Sequence, residues 1–129
     1  MRRDRLALDS GSLKFRLDSG AVVTLFGPGE VMLTDNQSVI LKRGMMVAES
    51  GAQGLSVTLP DAVVRSRNGT FGAEVGDIGT ADVIVLAGSM QMISETDGRI
   101  GCVQALEGLR LIKGQEPVRF RCLELTEIL

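Results

Sequence analysis

The chain of 129 residues has no His, no Trp and no Tyr, and only four Phe. Loss of the imidazole removes the usual general base, the commonest metal ligand and the activated serine of a Ser-His pair, so Ser66 and Thr70 have no ordinary route to nucleophilic catalysis. A cupin-type metal centre is excluded for the same reason. Aromatic residues make up 3% of the chain, too few for a platform on which bases or sugars would stack, and the expectation is that the phenylalanines are core. Fourteen basic against sixteen acidic residues, dispersed along the chain, give a net charge of -2 and no basic footprint for nucleic acid. No run approaches the roughly 18 apolar residues that cross a bilayer as a helix, so no membrane insertion is expected within this chain. The basic start, Met1-Arg2-Arg3-Asp4-Arg5, is broken by Asp9 before any long apolar segment, so no signal peptide is visible. Cys102 and Cys122 are too few for a disulfide framework and lack zinc-ligand spacing; both are expected as buried free thiols, with a bridge between neighbouring strands as the alternative.

What is present is short apolar runs punctuated by 16 glycines. Leu13, Phe15 and Leu17 alternate with Ser12, Lys14 and Arg16, the period of a half-buried strand. Further strands are expected at 21–26, 30–34, 38–42, 45–49, 55–59, 62–66, 70–75, 82–86 and 89–93. Gly27-Pro28-Gly29, Arg43-Gly44, Pro60-Asp61, Asn68-Gly69 and the segment 76–79 read as the turns between them. The first ten residues and the last six are the best helical candidates, although 118–125 also fits a strand. One all-β domain over 1–129 follows, with 98–129 completing the sheet. A beat of about nine residues at Gly11, Gly20 and Gly29, with Leu-Asp-Ser-Gly at 8–11 and again at 17–20, suggests a β-solenoid or roll. An antiparallel sandwich is the alternative.

The runs Val39-Ile40-Leu41, Met45-Met46-Val47 and Val83-Ile84-Val85-Leu86 are apolar on both faces and therefore need cover on both sides. Met32, Ile40, Met46, Ile84, Leu86, Met90 and Met92 are the candidate interface residues; core filling is the competing role for the methionines. Open strand edges add a second mode of contact, strand addition by a partner or by another copy. Carboxylate pairs, Asp61 with Glu74 and Glu95 with Asp97, show no sign of convergence and read as surface charge. Gly27-Pro28-Gly29-Glu30 precedes a strand rather than a helix, so it reads as a structural turn and not as a phosphate loop.

Within 13–92, the segments 20–30, 38–47, 55–64, 69–71 and 81–92, taken in that order, resemble the FecR family domain, the extracytoplasmic sensory part of bacterial iron-uptake signalling proteins. The sequence Gly20-Ala21-Val22-Val23-Thr24-Leu25-Phe26-Gly27-Pro28-Gly29-Glu30 is similar to the family's G-A-x-V-x-L-x-G-P-A-E, with Gly29 in place of alanine. Residues 38–47 resemble its L-x-x-G-x-L-x-V rung, and 55–64, with Pro60, its F-x-V-x-T-P-x-A-x-V pair. Gly69-Thr70-Phe71 stands where the family has G-T-x-F, one residue short, and 81–92 replace its closing strands. The resemblance implies a non-enzymatic domain without a cofactor, placed in the periplasm or cell envelope, that contacts a protein partner to pass a signal. No anti-sigma segment or membrane helix is visible, so the cytoplasmic half of such signalling is not expected here, and a cytoplasmic location stays open. A self-associating structural protein and a small-ligand or glycan-binding domain are the rival expectations.

Overall fold

A computed structural model describes residues 4–60, 62–94, 100–112, 115 and 118–121. They build twelve strands: β1 (Asp4–Leu8), β2 (Ser12–Arg16), β3 (Val22–Asp35), β4 (Ser38–Glu49), β5 (Leu55–Leu59), β6 (Ala62–Ser66), β7 (Thr70–Val75), β8 (Ala81–Ala87), β9 (Ser89–Ser94), β10 (Ile100–Gln104), β11 (Glu107–Leu111) and β12 (Val118–Arg121). All belong to one mixed sheet that curls into a half-barrel. The all-β class therefore holds. Every pairing is antiparallel except that of β4 with β5, so the chain rolls up one continuous sheet and does not stack parallel solenoid rungs.

The organising element is the long β3–β4 hairpin. Gly27-Pro28-Gly29 was expected to reverse the chain, and so was Arg43-Gly44; instead each lies inside a continuous strand. Phe26 pairs with Met45 and Glu30 with Arg43, so three residues of β3 face Gly44 alone. That is a bulge, which bends a strand without ending it. The bulge depends on glycine. Gly44 has φ +91°, and a Cβ there would stand 2.6 Å from both Gly29 Cα and Pro28 O, so the two backbones meet with no room for a side chain.

At this bend both strands change their outer partners. β3 pairs with β2 over 22–26 and with β1 over 29–33, while β4 pairs with β7 over 44–49 and with β5 over 38–40. The sheet thus forks into two wings, β5-β6-β9-β10 and β7-β8-β11-β12, that share the hairpin. The expected helix in the first ten residues is strand β1, because Leu6 and Leu8 pair with Val31 and Gly29 at the period of two and pack on the core.

The core lies on the concave side. Val23, Leu25, Val31, Val39, Leu41, Val57, Val64, Phe71, Val83 and Val85 are essentially inaccessible, and Phe71 is the largest of them. The expectation that every Phe is core is corrected. Phe71 is buried and Phe15 packs against the core, but Phe120 is 36% exposed because it pairs with Gly108 on the outer face. Its ring occupies the space that a Cβ at Gly108 would need, a cross-strand aromatic-glycine packing.

Candidate functional site

Three of the expected interface residues belong to the interior. Met46, Met90 and Met92 are 0%, 1% and 5% exposed, so they fill core and present no surface. The reason is phase: β4 resumes after Gly44 with Met46 and Ala48 inward, and β9 places Met90 opposite Val103 of β10. The remaining four face outward, divided between the wings. Met32 and Ile40 are paired and half-buried, in a row continued by Thr58, Val63 and Ile93. Ile84 is half-buried and Leu86 is 45% exposed on β8.

Leu86 and Ile84 belong to a larger outer patch. The register Thr24, Val47, Gly72, Ile84, Gly108 and Phe120 runs straight across β3, β4, β7, β8, β11 and β12. Met45, 41% exposed, stands in the adjacent row with Phe26. Gly72 removes a side chain from the middle of the stripe, and a Cβ there would stand 3.3 Å from Ile84 Cγ2. The double-faced apolar runs of the sequence are therefore covered inside and only partly covered outside. Met45 and Val47 were read only as part of a double-faced apolar run, and Phe120 as core, so none of the three stood among the interface candidates. The parity shift at Gly44, which only the pairing reveals, exchanges Met46 for Met45 on the outer face.

The patch is rimmed by charge. Arg110 Nε contacts Asp82 Oδ1 at 2.9 Å, and the hydrogen bond and charge of Asp82 raise the Arg110 pKa above its ordinary value. Glu49 and Glu74 are exposed at outward positions of β4 and β7. A patch that is apolar at its centre and charged at its border has the composition of a protein-contact surface.

One strand edge is closed by side chains. Arg119 of β12 donates to the Cys102 carbonyl at 2.9 Å, and Glu107 accepts from the Gln104 backbone N–H at 2.9 Å while pairing with Arg119 at 3.1 Å. Two backbone groups of β10 are thereby engaged, which blunts it as a template for another strand.

A buried serine network was also not foreseen. Ser50, with 0% exposure, accepts from the Gly69 backbone N–H at 2.9 Å and donates to Ser66 Oγ at 3.3 Å, while Ser66 donates to the Ser89 carbonyl at 3.0 Å. These bonds tie the end of β4 to the β6–β7 and β8–β9 connections. At its margin Asn68 adopts φ 54°, in keeping with the left-handed turn expected of Asn-Gly.

Cys102 is free and exposed rather than buried, because the β10 register turns Val103 inward and Cys102 toward Gln91 on the outer face. Cys122, Asp61, Glu95 and Asp97 lie outside the described residues, so the expectations for the second thiol and for both carboxylate pairs rest on the sequence. Among the described residues no three potential metal-ligating side chains cluster, and no helix is long and apolar enough to cross a membrane.

Two crystal structures of a "putative anti-sigma factor" from Parabacteroides distasonis ATCC 8503 share this fold. One superposes with a TM-score of 0.80 at 13% identity, covering 93% of this chain and 60% of that one. The other gives 0.79 at 12% identity, covering 92% and 59%. The chain thus spans about three fifths of the length of these structures, and at such identity the likeness is one of fold. No family model matches the chain, and no curated protein does.

Proposed function

We propose that this chain is a non-enzymatic protein-contact domain of the extracytoplasmic, anti-sigma-associated kind, and that it meets its partner through the outer face of the β7-β8-β11-β12 wing. The observation that carries the reading is the apolar stripe of Met45, Val47, Ile84 and Leu86 on the outside of a sheet whose inner face is already filled. A monomer gains nothing from keeping such a row wet, whereas a partner would bury it at roughly 25 cal/mol per Å². The fold shared with the Parabacteroides structures and the motifs similar to the FecR family support the same class, and with it a place in the cell envelope. Fold alone does not supply function, so the weight rests on the surface.

Photo-crosslinking tests it. A benzophenone amino acid at position 86 or 45, in cells producing the protein, should give a discrete adduct with a second protein, and the same probe at Lys14 on β2 should not. Adducts only with further copies of this chain would favour self-association. Absence of adducts from both outer positions would sink the reading.

A further inference from the structure

Two clefts on the described surface differ in charge. One, of about 440 Å³, is lined by Arg16 together with Asp4, Asp18 and Asp35, so it brings its own counter-charge. The other, of about 680 Å³, opens at the far end of the β5-β6-β9 wing and is lined by Gln37, Gln53, Ser56, Arg65, Arg67 and Gln91, among other residues. None of the described residues lining it is acidic. Arg5, Arg43, Arg110 and Arg119 all pair with carboxylates, yet neither Arg65 nor Arg67 has a salt bridge among the described residues. In a chain with more acids than bases, two guanidiniums that line one concavity with no ion partner among the described residues need a reason.

The cleft is also held in shape. Its inner wall contains Ser66, fixed by the Ser50 and Ser89 bonds, and the Ser56 backbone N–H donates to the Gln37 carbonyl at 2.9 Å. Gln37 Nε2 donates to Gln53 Oε1 at 3.3 Å, and the Arg67 stem lies against Gly54. Ser56, Arg65 and Gln91 are directly paired across three neighbouring strands, so the row spans about 10 Å at the ordinary strand spacing. An extended peptide covers that distance in about three residues.

We propose that this cleft binds an extended acidic peptide segment, with Arg65 and Arg67 taking its carboxylates and the Gln53, Gln91 and Ser56 side chains taking its backbone amides. A single small oxyanion fits less well: the arginines are exposed, and an isolated exposed ion pair contributes little. Several contacts spread along one chain add up, and amide side chains match peptide groups in both donor and acceptor capacity. The proposal rests on the reading of this chain as a protein-contact domain and names the chemistry of one partner segment, at a place separate from the apolar stripe.

The test is fluorescence anisotropy with a labelled alternating Glu-Ser peptide of about eight residues. Binding should weaken as salt rises, and R65Q/R67Q should lower affinity about five- to tenfold, the scale of two exposed charge contacts. The double variant K14Q/R16Q, which removes the same net charge from β2, should leave affinity within about twofold. A titration of the unmodified protein followed by NMR should shift the Gln53 and Gln91 side-chain amides, a readout independent of how any variant folds. The proposal is overturned if the peptide does not bind, if both double variants lose affinity equally, or if inorganic phosphate binds with the same arginine dependence while the peptide does not. Crosslinks from position 86 would survive any of those results, so failure of the cleft and failure of the contact-domain reading are separable.

Discussion

At the scale of single residues, one close backbone contact and one buried hydroxyl hold the bend and the end of β4 in place. Gly44→Ala should cost about 2 kcal/mol or more, since it combines a left-handed φ with a Cβ pressed onto Gly29 and Pro28. Ser50→Ala leaves the Gly69 N–H buried without its acceptor and should cost about 1–3 kcal/mol. In urea melts both should lower the midpoint with an unchanged slope, and an unaltered midpoint for either would remove it from the structural account. The role of Gly44 was half legible: a break was visible in Arg43-Gly44, but only the facing Gly27-Pro28-Gly29 shows that it is a bulge. Cys102 was misplaced for a related reason. Cysteine's general preference for the interior was set against a register that only pairing with β9 reveals.

At the scale of strands, alternation located most of the elements, because one wet and one dry face force a period of two. It failed where both faces are apolar. Such a run gives no phase, so Met45 could not be told from Met46, and of the two roles left open for the methionines Met46, Met90 and Met92 take core filling. Partners were equally illegible, since the parallel match of β4 with β5 joins strands whose order along the chain implies an ordinary meander. The closed edge of β10 gives a prediction at this scale. Arg119→Ala frees the Cys102 carbonyl and removes the Arg119–Glu107 ion pair, so the variant should self-associate with rising concentration while the parent does not. Light scattering over a dilution series checks it, and identical masses for the two proteins would show that the arginine does not guard the edge.

At the scale of the molecule, both wings rest on the β3–β4 hairpin and enclose one core, so neither has an independent interior. Phe71→Ala should therefore lower the stability of the whole by about 3–5 kcal/mol, and a probe in either wing should report the same melting midpoint. Two separated transitions would show that the wings are independent units. Leu86→Glu, by contrast, alters an outward side chain and should change stability by less than about 0.5 kcal/mol while abolishing adducts from position 45. The class of fold was legible in the glycine-punctuated runs. The stripe was not, since it draws its residues from strands far apart in the chain.

The shared hairpin also sets an order of events during synthesis. Residues 4–49 contain β1 to β4, whose pairings with one another all fall within this segment, so this part can close before β5 and β7 have left the ribosome. Until they arrive, the free side of β4 stays unpaired and Val39, Leu41 and Met46 lack the rest of the core. A chain stalled at this stage would carry a sticky nascent edge, so translation pauses that fall when residue 49 has just emerged from the ribosome should increase its dependence on chaperones far more than pauses once β8 has emerged.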